Sequence, residues 1–145
     1  MAPPQRSAAP LHAVDHVEPN ASASPAPRLF APDDYAGLEW VVDAFGCSSA
    51  KAGSIETFNE LASRLIRDLD LHPAAPPLWR SFDGGGVTGL ILLSESHFTC
   101  HSFPEMGFIA FNLYCCRQRR AWPWEQQITQ LFGASQVQVR ELVRG

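Results

Sequence analysis

The chain has 145 residues, a formal net charge of -4, 46% hydrophobic residues and 18% charged ones. That length suits one domain with a buried core, and the acidic balance excludes the basic face that nucleic acid or an anionic membrane surface requires. No apolar run is long enough to span a bilayer, and Met1-Ala2-Pro3-Pro4-Gln5-Arg6 lacks the apolar stretch of a signal peptide, so a cytoplasmic protein is expected.

Residues 1–34 hold seven of the twelve prolines and few large apolar side chains. Such a stretch cannot bury enough surface to offset its ordering entropy, and it is predicted to be a disordered extension. Its Asn20-Ala21-Ser22 sequon is expected to be a chance match. A single domain is predicted over residues 35–145. Leu38, Trp40, Val42 and Ala44 alternate along a half-buried strand from Leu38 to Phe45. Ser54 suits the N-cap of a helix to about Leu69, whose apolar stripe is Ile55, Phe58, Leu61, Leu65 and Leu69. A strand follows from Leu78 to Phe82, and Asp83-Gly84-Gly85-Gly86 makes a loop. Val87 to Ser94 is apolar on both faces, which predicts a central strand. His97 to His101 is a short strand. Pro104-Glu105-Met106-Gly107 turns the chain into a strand from Phe108 to Cys116. Pro123 suits the first turn of a helix through Phe132, closed by Gly133, and Gln136 to Leu142 alternates as a last strand. The order β-α-β-β-β-β-α-β, with hairpin-length links in its middle, predicts an α+β two-layer sandwich: an antiparallel sheet with helices packed on one face.

The stretch from Leu92 to Glu105 is the richest in chemistry. It holds a Glu95-Ser96 bond, His97, His101 and a Phe103-Pro104-Glu105 turn, and the Cys115-Cys116 pair ends the next strand. The four cysteines Cys47, Cys100, Cys115 and Cys116 have no disulfide-scaffold spacing. Gly37 to Cys47, Gly86-Val87-Thr88-Gly89, Glu95-Ser96-His97, His101, Pro104-Glu105 and Cys116 together resemble the short prokaryotic S-adenosylmethionine decarboxylases, over roughly residues 37–145. The combined spacing carries the resemblance, since Glu-Ser-His alone is a weak signal.

The resemblance implies a proenzyme that cuts itself between Glu95 and Ser96. The Ser96 hydroxyl would attack the Glu95 carbonyl, and elimination would leave a pyruvoyl cofactor in place of Ser96. His101 is the implied base. Thr88, where the family has a serine, and Cys116 are implied to stabilise the cleavage intermediate. In the mature enzyme the pyruvoyl ketone would form a Schiff base with the substrate amine and act as an electron sink for loss of carbon dioxide. Cys116 then matches the family's proton donor, whereas Cys115 falls on the opposite face of its strand. Phe82 and Phe103 match ring-stacking positions, Phe103 standing where tryptophan is common, and aromatic faces suit both adenine and a sulfonium. Glu105 matches the carboxylate for the ribose hydroxyls, and Asn112 stands where an aspartate is common. A homodimer is implied, with each site built across the interface. Geometry adds one expectation: Ser96 and His101 are five residues apart, so a bulge or bend must bring them to one face.

Other classes remain open at this point. A pyruvoyl arginine or ornithine decarboxylase would share the processing residues, and a regulatory homologue would keep the fold without cleavage. A zinc protein could draw on His97, Cys100, His101, Cys115 and Cys116, but there is no Cys-x-x-Cys spacing, and no metal is expected.

Overall fold

The computed structural model describes residues 36–144. The predicted extension over 1–34 and its sequon lie outside the described residues. Strand β1 (Gly37–Phe45) alternates as expected, and Leu38, Trp40, Val42 and Ala44 are all at most 2% exposed. A single turn, α1 (Ser49–Ala52), leads into helix α2 (Ile55–Asp68). Ser54 caps α2 by accepting the Thr57 N–H, and Phe58, Leu61, Ala62 and Leu65 form its buried stripe. Strands β2 (Leu78–Ser81), β3 (Val87–Leu93) and β4 (Ser96–Phe103) follow as consecutive hairpins. A 3-10 turn over Pro104–Met106 is closed by Gly107 in the left-handed conformation and leads to β5 (Phe108–Cys115). Helix α3 (Trp124–Phe132) ends at Gly133, also left-handed, and β6 (Gln136–Arg144) finishes the domain.

The six strands lie in the order β2-β3-β4-β5-β1-β6, and every neighbouring pair is antiparallel. Two connections cross the sheet: α1 and α2 carry the chain from β1 to the far edge at β2, and α3 carries it from β5 over to β6. Both pack on one face, so the architecture is the predicted α+β two-layer sandwich. The core forms between these layers. Phe58 lies 5.0 Å from Phe132 and 6.3 Å from Phe111 by ring centroids, and Trp40 lies 6.2 Å from Trp124. Burying one such side chain stabilises the fold by about 1.5–3 kcal/mol.

The other face of the sheet has no cover among the described residues. Strand β3 takes the central place expected of it, with one face open. The strand lies inside the sheet, between β2 and β4, and Leu90 and Leu92 stand on the open face and are 41% and 55% exposed. The composition of β3 reads as buried on both sides because both its faces are apolar, although only one is packed. No helix among the described residues is long and apolar enough to cross a membrane.

Candidate active site

The open face carries a pocket of about 570 Å³ at the Thr88–His101 end of the β3–β4 hairpin. Thr88 and His101 face one another across the two strands and share a hydrogen bond of 2.9 Å between Oγ1 and Nδ1. Phe82, Phe103 and Glu105 line the same pocket, from the end of β2, the end of β4 and the 3-10 turn. Backbone geometry keeps its wall in place. The buried Ser102 hydroxyl accepts the Val87 N–H at 2.8 Å, fixing the residue next to Thr88. At Gly86 a Cβ would fall 2.8 Å from the Ser102 carbonyl oxygen, so only glycine permits this approach.

The Glu95–Ser96 bond lies at the opposite end of β4. Ser94 and Glu95 form the turn between β3 and β4, with Leu93 paired to Ser96. The Glu95 carbonyl oxygen accepts two hydrogen bonds from Cys116, one from the backbone N–H at 3.0 Å and one from the thiol at 2.8 Å. Two donors converging on one carbonyl form the arrangement that stabilises an oxyanion. On the other side of the Glu95–Ser96 bond, Ser96 pairs directly with Cys115. Burial pushes the Cys115 thiol above its ordinary value, opposed by hydrogen bonds with Ser96 and Arg119. Cys115 is buried and Cys116 is partly exposed, so the two cysteines do occupy opposite faces.

The predicted residues therefore form two groups rather than one. Thr88, His101, Phe82, Phe103 and Glu105 meet at one end, and Glu95, Ser96 and Cys116 at the other. The bulge expected between Ser96 and His101 is absent. Each residue of β4 from Ser96 to Phe103 pairs with β5, and all but its last two pair with β3, so no spare residue exists to bend the strand. Five residues of regular strand separate the two groups by about 16 Å. Ser96 turns toward the helix layer with Phe98, Cys100 and Ser102, while His101 faces the open side. Among the described residues, no group of three or more His, Cys, Asp or Glu side chains could hold a metal ion. Cys100 points into the core, and burial pushes its thiol up to about 12.

A family model for S-adenosylmethionine decarboxylase matches residues 38–145. The chain belongs to the S-adenosylmethionine decarboxylase family. Curated relatives are named S-adenosylmethionine decarboxylase proenzyme. The protein of Clostridium botulinum is 30% identical over 77% of this chain and 96% of its own, and that of Moorella thermoacetica is 29% identical over 75% and 87%. The crystal structure of the adenosylmethionine decarboxylase from Aquifex aeolicus superposes with a TM-score of 0.64 at 25% identity, covering 77% of this chain and 92% of that one.

Within this S-adenosylmethionine decarboxylase fold, the open face also explains Asn112. Its amide donates to Glu39 Oε1 at 2.7 Å, and Arg144 pairs with the same carboxylate. The Asn112 hydrogen bond is the main cause that lowers the Glu39 carboxyl from its ordinary value, and Arg144 and His97 add to it. An aspartate at position 112 would instead set a like charge against Glu39. Sequence reasoning missed Arg117 and Arg119, which both approach the Glu95 carboxylate. The signal was available: Arg117-Gln118-Arg119-Arg120 is a dense basic run in a sparsely charged chain.

Proposed function

We propose that the chain is a self-processing, pyruvoyl-dependent decarboxylase of S-adenosylmethionine, acting as a pair of identical copies in the cytoplasm and supplying the aminopropyl donor for polyamine synthesis. One observation carries the reading: the carbonyl of the Glu95–Ser96 bond is held by two donors from Cys116. An inert hairpin turn has no need of a thiol on its carbonyl.

The residues present fit the making of the cofactor. The Ser96 hydroxyl adds to the Glu95 carbonyl carbon, and the developing oxyanion is met by the Cys116 N–H and S–H. The carbon–nitrogen bond breaks and an ester joins Glu95 to Ser96 Oγ. A base then removes the Ser96 α-proton, Glu95 leaves as a carboxylate, and water replaces the nitrogen of residue 96, releasing ammonia. The pyruvoyl ketone supplies an electron sink for loss of carbon dioxide from the bound amino acid. The Cys116 thiol, released from the Glu95 carbonyl after cleavage, is the proton donor to the decarboxylated carbon. Phe82 and Phe103 hold adenine and sulfonium, and Glu105 holds the ribose hydroxyls. Arginine and ornithine have neither ring nor ribose, so this pocket favours the nucleoside substrate over them.

Pairing of two copies supplies what one chain lacks. His101 and Thr88 lie about 16 Å along a regular strand from the bond they would act on. A two-fold axis passing through the open face near the middle of β4 would set the His101 end of one copy over the Ser96 end of the other. The exposed Phe45, Leu90 and Leu92 on that face suit burial against a second sheet.

Intact mass measurement tests cleavage directly: the expected products are residues 1–95 and 96–145, the second with a blocked terminus. A chain that stays whole through prolonged incubation refutes the reading. Co-expression tests the pairing. Ser96→Ala and His101→Ala chains should each stay uncut when alone. Together, the His101→Ala chain should be cut, because its Ser96 meets the intact His101 of the other copy. If mixing rescues nothing, each site lies within one chain.

A further inference from the structure

Self-cleavage changes the charge at Glu95. The residue begins with one carboxylate and ends, as a chain terminus, with two. Two cations stand beside it beforehand. Arg117 Nη2 lies 2.7 Å from Glu95 Oε1 and Arg119 Nη2 lies 3.9 Å from Oε2. The two arginines differ in setting. The Arg117 side chain is 70% exposed, whereas that of Arg119 is 22% exposed. The Arg119 Nε is buried and has no hydrogen-bond partner among the described residues. The Arg119 guanidinium also neighbours the Cys115 thiol, which in turn contacts the Ser96 hydroxyl. Arg119 thus lies near the Glu95 side chain and, through Cys115, near Ser96. A buried N–H with no acceptor is costly to keep, and two cations facing a single carboxylate are one negative charge short.

We propose that Arg119 receives the α-carboxylate released from Glu95 during self-cleavage, while Arg117 neutralises the Glu95 side chain. This rests on Ser96 being the self-cleaving serine. In the step concerned, a base takes the Ser96 α-proton and the Cβ–Oγ bond of the ester breaks. Its electron pair leaves on Oγ, which becomes the second oxygen of the Glu95 carboxylate, and residue 96 keeps a carbon–carbon double bond. The first oxygen of that carboxylate is the one held by Cys116. The second originates as Ser96 Oγ, on the side of Cys115 and Arg119. Two carboxylates then face two guanidinium groups, and the cut chain end is held on the arginine side, which frees the Cys116 thiol.

The test separates ester formation from elimination. Wild type, Arg119→Gln, Arg119→Lys and Arg120→Gln are followed by intact mass, with and without hydroxylamine, which cuts the ester. Arg119→Gln should build up ester, trapped as a Glu95 hydroxamate with Ser96 still a serine. It should form the pyruvoyl piece about ten- to a hundredfold more slowly, the range for losing one hydrogen bond to a forming charge. Arg119→Lys should recover part of the rate. Arg120, which donates to the Asp68 carbonyl away from the site, should be replaceable by Gln without effect. Arg119→Gln cutting at the wild-type rate overturns the proposal. So does slow cutting with no trappable ester, which would mean that Arg119 only shapes the turn. If circular dichroism shows the Gln variant unfolded, Arg119→Lys decides on the same ester readout. A wild-type chain that never forms the pyruvoyl piece would instead sink the self-cleavage reading itself.

Discussion

Replacing Cys116 by alanine removes one of the two donors on the Glu95 carbonyl and keeps the other. The thiol at 2.8 Å is lost and the backbone N–H at 3.0 Å stays. Losing a full oxyanion donor slows acyl chemistry by about a hundred- to a thousandfold. A thiol is a weaker donor than an amide, so self-cleavage of Cys116→Ala should slow by about ten- to a hundredfold, or about 1.4–2.7 kcal/mol of barrier. Cys116→Ser keeps a donor and should cut at close to the wild-type rate. Its hydroxyl is a far poorer acid than a thiol, so the mature Ser variant should lose turnover while substrate affinity stays nearly constant. The assay is a time course on denaturing gels, followed by carbon dioxide release from whatever pyruvoyl enzyme has formed. The serine variant separates the two tasks assigned to one sulfur. Cleavage of Cys116→Ala at the wild-type rate would show that the thiol contact contributes nothing to the intermediate. Full turnover by mature Cys116→Ser would show that another group delivers the proton.

Glu105→Gln should weaken a nucleoside substrate by about 1–3 kcal/mol in KM and leave self-cleavage intact, and unequal effects on carbon dioxide release from S-adenosylmethionine, arginine and ornithine would check it. Gly89→Ala should destabilise the fold by about 1–3 kcal/mol in urea unfolding, because its Cβ would collide with the Trp79 ring and fall 2.9 Å from Cys100 Sγ. The buried Cys100 thiol is raised from 9.0 to about 12, so its contribution to stability is complete below about pH 9 and is lost as pH rises toward 12, by up to about 1.4 kcal/mol per pH unit. Cys100→Ala should flatten that alkaline slope, and an unchanged slope would assign it to other groups.

Much of the sheet was legible because half-buried strands write their burial into every second residue. Trp40, Val42 and Ala44 in β1 are the clearest case. The helix ends were equally plain: Ser54 caps α2 through its side chain, and Gly133 takes the left-handed conformation that closes α3. The strand β3 shows that composition reports what a face could bury, not what covers it. Leu90 and Leu92 are apolar yet exposed. The bulge in β4 was inferred from a demand of the chemistry, that Ser96 and His101 meet, under the premise that they meet within one chain. Ladder pairing on both sides of β4 outweighs that demand. At the site, residue types and spacing named the pocket group, because Thr88, His101, Phe103 and Glu105 fall close together through one hairpin and its following turn. The Cys116 contact with the Glu95 carbonyl depends on how β5 ends beside the β3–β4 turn, which no local pattern encodes.

The division of the site into two ends carries a consequence for how such an enzyme matures. The Glu95–Ser96 bond has two Cys116 donors on its carbonyl, and His101 has its Thr88 partner and the pocket beside it, about 16 Å away along β4. Each end alone is a harmless arrangement of a folded chain. In the proposed pair, the open faces that bring Leu90 and Leu92 out of water also bring base and scissile bond together, so burial of apolar surface and completion of the site are one event. The polar contacts of the same face, Glu39 with Asn112 and Arg144, and Asp43 with Arg140, leave those two carboxylates neutralised before a second sheet covers them. Covering unpaired carboxylates would cost several kcal/mol each, whereas paired ones can be covered at modest expense. Self-cleavage should then follow assembly, with a rate that falls on dilution below the dissociation constant of the pair and is independent of concentration above it.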